Sequence, residues 1–172
     1  MHIHRRTLIA GAIAGLASIT LSACGGGDDA PPALSLLETI QNDPQFSILS
    51  EAVLAAGMAG LLGDPGALTL FAPTNAAFVS FLAEFAMTKE GLLASPLLAD
   101  ILTYHLVDGA LAIDALPLDT PIATRLGGLN DIMIDSDRVI TDRVGRQSAV
   151  TSADLSASNG VMHTIGTVLL HT

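Results

Sequence analysis

Within residues 68–82 the sequence LTLFAPTNAAFVSFL changes its apolar period, and that change limits what the chain can fold into. Leu68, Leu70 and Ala72 alternate with Thr69 and Phe71, the spacing of a short strand. Pro73 has no backbone N–H to donate and ends the ladder. Thr74 or Asn75 then supplies a side-chain oxygen to the free N–H groups of a new helix. Phe78, Phe81, Leu82 and Phe85 follow at i, i+3, i+4 and i+7, one apolar stripe. Four of the five phenylalanines fall between Phe71 and Phe85, in a chain with one Tyr and no Trp. This strand–helix corner is therefore expected at the centre of the core.

The flanks can be read in the same way. Leu34, Leu37 and Ile40 space as one helical face, and Asp43-Pro44 signals a helix start. Phe46, Leu49, Val53 and Leu54 continue the stripe until Gly57 and Gly60 break it, and residues 63–66 read as a turn. Beyond the corner, Thr88 caps a short helix through Leu93, and Ser95-Pro96 opens another through Leu102. Residues 104–107 read as extended, so one of Tyr104 and His105 is expected to point inward and the other outward.

From Pro121 the texture alternates. Ile132 and Ile134, Val139 and Thr141, Ala149 and Thr151, Val161, His163 and Ile165, and Val168 and Leu170 read as strand residues. Turns fall at Gly127-Gly128, Ser136-Asp137 and Gly145. The expected architecture is a single α+β domain, a helical first two-thirds packed on a mainly antiparallel β region from the last third.

Residues 1–23 have the parts of an export signal: His2, His4, Arg5 and Arg6, then an apolar run to Leu21. Leu21-Ser22-Ala23-Cys24 resembles the bacterial lipobox, whose cysteine carries the lipid after cleavage. An ordinary secretory signal cut near Ala23 and an uncleaved anchor helix are the alternatives, and Arg5-Arg6 also partly resembles a twin-arginine signal. The expected organisation is a signal over 1–23, lipidated Cys24 with a flexible tether over 24–33, and a domain over 34–172. Gly25 after Cys24 leans toward the outer membrane. Cys24 is the single cysteine, which excludes an intramolecular disulfide.

Three blocks in order resemble fasciclin-like domains. FAPTNAAF resembles the family's first signature block, ILTYHLVDGAL (101–111) its central Tyr-His block, and NGVMHTIGTVLL (159–170) its closing block. The resemblance implies a non-catalytic adhesion module with Phe71, Pro73, Thr74, Asn75 and Phe78 as structural motif. Its interaction candidates are Tyr104, His105, Asn159, Gly160 and His163. The family usually continues Ile-Asp where this chain has Ile165-Gly166, so any turn contact of that aspartate is missing here.

The residues themselves favour bland roles for most of these. His105 reads as a hydrogen-bonded pin to the backbone or to the Thr74–Asn75 turn, rather than a metal ligand or base. No metal or cofactor is expected, because His163 and His171 have no spacing that forces convergence. Asn159-Gly160 reads as a turn pair that accepts positive φ. Asp131, Asp135, Asp137 and Asp142 do not match a calcium loop and read as a solvated acidic edge.

No hydrolase elbow, zinc-protease helix or phosphate loop is present. Without residues 1–23 the chain has 17 acids against 5 bases, a charge of −12, which argues against nucleic acid. The expected partner is a protein or carbohydrate of the cell surface or matrix, with membrane attachment through the lipid. The alternative is a small apolar ligand or an envelope protein bound in a groove between the helices.

Overall fold

The computed structural model describes residues 33–172; the export signal, Cys24 and the tether as far as Pro32 lie outside them. Helices α1 (Leu36–Asn42), α2 (Ser47–Ala55) and α3 (Ala59–Gly63) precede strand β1 (Leu68–Pro73). Next come α4 (Asn75–Glu84), α5 (Lys89–Leu93), α6 (Leu98–Tyr104) and β2 (Leu106–Asp108). The strands β3 (Ile122–Ala123), β4 (Asp131–Ile134), β5 (Val139–Thr141), β6 (Gln147–Ala157) and β7 (Gly160–Ile165) follow.

Local chemistry sets most boundaries. Ser35 and Glu38 form a reciprocal capping box that starts α1, so Leu36 and Ile40 face inward and Leu34 stays exposed. Asp43 caps the 3₁₀ turn Pro44–Phe46, Thr74 caps α4 and Thr88 caps α5. Gly57, at φ +70°, ends α2, whereas Gly60 lies inside α3 rather than breaking a helix.

The seven strands form one sheet in the order β2-β1-β7-β6-β5-β4-β3. Every pairing is antiparallel except β1 with β7, which run parallel from Leu68↔Gly160 to Pro73↔Ile165. A strand from the helical part of the chain thus lies inside the sheet, so the β layer is not built from the last third alone. β1 is buried along its whole length and separates two cores. Leu68, Leu70 and Ala72 join Leu36, Phe46, Phe78 and Phe81 on the helical side. Phe71 faces the other way, onto Tyr104, Ile132, Ile140, Ile165 and Leu169. After β3, the Arg125 N–H bonds the Leu106 carbonyl at 2.7 Å, which covers the edge of β2.

Further expectations change. Tyr104 is the last residue of α6 and His105 its C-cap; both are buried, because the chain is still helical there and no strand alternation applies. Val168 and Leu170 lie in no strand. Phe85 caps the end of α4 with 46% of its surface exposed, so the stripe that enters the core stops at Leu82.

Gly160 is not a positive-φ turn residue but the first residue of β7, and the hairpin turn is Ser158-Asn159. A Cβ at Gly160 would run into the Leu68 carbonyl of β1. Gly160→Ala is expected to destabilise the domain by about 1–3 kcal/mol. Gly66→Ala, where a Cβ meets nothing within 4 Å, is expected to leave the melting temperature within a degree or two. Thermal unfolding of the two variants checks this pair.

Candidate functional site

Loops around the cores expose backbone N–H and C=O groups that need partners once buried. The signature polar residues supply them. Asn75 accepts from the Ile48 N–H (3.0 Å) and donates to the Pro44 carbonyl (2.9 Å), joining the starts of α4 and α2. Asn159 accepts from the Leu36 N–H (2.8 Å) and donates to the Leu62 and Asp64 carbonyls (2.9 Å each). It ties the β6–β7 hairpin to the start of α1 and the end of α3. The Tyr104 hydroxyl donates to the Asp131 carbonyl (3.1 Å) and accepts from the Arg143 N–H (2.9 Å). Burial pushes its pKa up to about 12.

The two inner histidines are equally committed. His105 Nδ1 meets the Ile101 carbonyl at 2.7 Å, so it carries the proton, and Nε2 accepts from the Leu169 N–H at 3.0 Å. The partner is therefore the C-terminal segment, not the Thr74–Asn75 turn. Burial lowers the pKa of His105 to about 4, against the opposing pull of the Ile101 carbonyl. His163 Nε2 donates to the Leu111 carbonyl (2.9 Å), and Nδ1 accepts from the Asp154 N–H (3.2 Å). Burial lowers this pKa too, ahead of the raising effects of Leu111 and Asp154.

Asp142 departs from the expected acidic edge. It is buried, accepts from the Val144 and Arg146 N–H groups through Oδ1, and from the Leu170 N–H (2.8 Å) through Oδ2. With His105 and Ser148 it straps residues 167–170 across the end of the sheet. Tyr104, His105, Asn159, Gly160 and His163 are all buried, so a partner approaching from solvent touches none of them directly. Among the described residues, no three His, Cys, Asp or Glu side chains converge on a point that could hold a metal.

What does reach solvent is an apolar cleft at the strapped end. The last turn of α4, α5 and the start of α6 line it with Phe81, Phe85, Met87, Leu92, Leu97 and Ile101, and Leu170 of the strap completes it. It holds about 150 Å³. Its rim is exposed: Phe85 by 46%, Met87 by 38% and Leu97 by 51%. Ala86, at φ +48°, ends α4, and the Met87 N–H returns to the Leu82 carbonyl at 2.9 Å. This left-handed turn costs an alanine about 1 kcal/mol and brings Met87 back to the rim. The Phe85 ring packs at a tilt against Phe81, centroids 4.9 Å apart, and lies 5.9 Å below the Arg146 guanidinium, which Glu84 holds by two hydrogen bonds.

Residues 44–171 match the family model of the Fasciclin domain. The chain belongs to the fasciclin family. It is 33% identical over 139 residues to pig transforming growth factor-beta-induced protein ig-h3, covering 81% of this chain and 20% of the pig protein. Protein sll1483 of Synechocystis sp. is 35% identical over 141 residues, 80% of this chain and 74% of that protein. The solved FAS1 domain pair of the insect cell adhesion molecule fasciclin I shares the fold, with a TM-score of 0.69 at 18% identity. That likeness covers 81% of this chain and 51% of the pair. This chain thus spans about one fifth of the pig relative.

For this fasciclin domain the sequence located the signature residues and offered a groove between the helices, but it did not single out the side chains that line the cleft. The three rim residues are ordinary apolar letters, and one of them, Phe85, even continues a core stripe.

The buried imidazoles make a pH test. His105 has a folded pKa near 4 against an ordinary 6.5, so the unfolded chain takes up its proton first. Its neutral form supports the fold fully above about 6.5, and that support is lost as pH falls toward 4, by about 3 kcal/mol at most. His163 adds a loss of the same sign. Urea midpoints measured from pH 7.5 to 4.5 are expected to fall. His105→Ala is expected to start lower at pH 7.5 and to decline less steeply.

Proposed function

We propose that this fasciclin domain is a non-catalytic interaction and cell-adhesion module, exported and held at the cell envelope by a lipid on Cys24. The observation that carries the reading is the exposed apolar rim of Phe85, Met87 and Leu97, because grouped apolar side chains left in water mark contact sites. The shared fold with an insect cell adhesion molecule supports it. In this reading residues 1–23 are the export signal, 24–33 the tether and 34–172 the presented domain. Tyr104, His105, Asn159, Gly160 and His163 act from within, by holding the presented surface in shape. The partner is a protein or carbohydrate of a cell surface or matrix, and the acidic balance disfavours nucleic acid.

A second reading makes the chain a carrier of a small apolar ligand. The size of the cleft favours it, since an apolar opening of about 150 Å³ matches a benzene-sized group. Lipid extraction of the purified protein followed by mass spectrometry distinguishes this from adhesion.

Cys24→Ser is expected to move the protein from the membrane fraction to the soluble fraction and to abolish attachment of the producing cells to matrix-coated surfaces. Its melting temperature is expected to stay unchanged. Retention in the membrane fraction would overturn the anchor, and undiminished attachment by the released form would overturn the adhesion reading.

A further inference from the structure

We propose that residues 167–172 are an acid-released strap: a proton on His105 lets this segment lift from the sheet while the rest of the domain stays folded, and lifting it opens the cleft on one side. The inference is independent of which partner or ligand the cleft takes.

The strap is fastened differently from the strands. Gly166 still donates to the Ala149 carbonyl, but beyond it no backbone–backbone bond holds the described chain. The amides of Thr167, Leu169 and Leu170 end instead on side chains, Ser148 Oγ at 2.9 Å, His105 Nε2 at 3.0 Å and Asp142 Oδ2 at 2.8 Å. Fully buried Val168 and Leu169 add the apolar part of the hold, so the strap lies closed at neutral pH. Leu170, His171 and Thr172 are its contribution to the cleft wall.

One of the three fastenings is a lone pair that a proton removes. His105 Nδ1 donates to the Ile101 carbonyl on its own helix, so Nε2 is the site left for a proton. Once protonated, Nε2–H faces the Leu169 N–H, two donors with no acceptor between them. Lifting the strap gives both of them water, while Nδ1 keeps the Ile101 carbonyl, so α6 stays wound. The other titratable groups around this point do not bond the ring. Asp142, between β5 and β6, accepts from the Val144, Arg146 and Leu170 amides. Tyr104, beside His105 at the end of α6, has its hydroxyl on Asp131 and Arg143, and its ring lies 5.7 Å from that of His171 in the strap.

Burial holds the pKa of His105 at about 4 in the closed form, against an ordinary 6.5, so the opened form takes up the proton first. Opening is therefore favoured progressively as pH falls from 6.5 toward 4, by about tenfold at pH 5.5.

Hydrogen–deuterium exchange of the full-length protein in phosphatidylcholine nanodiscs, corrected for the intrinsic pH dependence of exchange, tests this. The opening constants of the Leu169 and Leu170 amides are expected to rise about tenfold from pH 7.5 to 5.5. At both pH values they are expected to stay at least about 100-fold above those of β1 and β7 and to be nearly flat in dilute urea, the mark of a local opening. Strap amides that share the opening constants and the urea slope of β1 and β7 would mean that the segment leaves only when the domain unfolds, and would overturn the proposal. His105→Gln still offers an oxygen to Leu169 and an N–H to Ile101 but takes no proton, so the tenfold rise is expected to vanish. A rise that persists in His105→Gln would assign the effect to another group and overturn the proposal. Ser148→Ala, which removes only the Thr167 fastening, covers the case in which His105→Gln does not fold. It is expected to raise strap opening at both pH values and to keep the tenfold ratio between them; loss of that ratio would likewise overturn the proposal.

Discussion

The parallel pairing of β1 with β7 is the contact on which the other layers depend. Its first pair, Leu68 and Gly160, lies 92 residues apart in the chain, so no turn brings the strands together. Parallel neighbours need a crossover, and here that crossover is most of the domain. Once made, the pairing puts β1 in the interior of the sheet, where both faces must be covered. The helices cover one face, and the curled strands β3 to β5 cover the other. The absence of a side chain at Gly160 allows the two backbones to close at the start of this ladder.

The polar residues that look most like functional signatures serve this assembly. Loops that fold back over two cores bring peptide groups out of water, and each unsatisfied group costs about 1–3 kcal/mol. Asn75 and Asn159 each bond backbone on two other segments, which an apolar residue of the same size cannot do. His105 does the same for the C-terminal strap, with one ring nitrogen donating and the other accepting. A neutral imidazole is the one ring that offers both roles.

Because those groups face inward, the opening between α4, α5 and α6 is lined by apolar residues instead. The left-handed turn at Ala86 and the strap held by Asp142 shape it together. The first sets Met87 on the rim, and the second brings Leu170 against it. The strained alanine and the exposed phenylalanine lie within two residues of one another, where backbone strain and exposed apolar area meet at the same opening.

Much of the fold is legible in the order of residues. The change of period at Pro73, the caps at Thr74 and Thr88, the Asp43-Pro44 start and the glycine turns after Pro121 are all local, set by hydrogen bonding and sterics within a few residues. The three signature blocks likewise identify the family, since they are short and contiguous. What the chain order does not contain is which distant segments meet. The parallel register of β1 on β7, the burial of both Tyr104 and His105, the inward turn of Asp142 and the exposure of Phe85 each depend on a neighbour tens of residues away. An apolar letter at helical spacing fits a core and a cleft equally well, and only the packing of the other helices leaves one of its sides open to water.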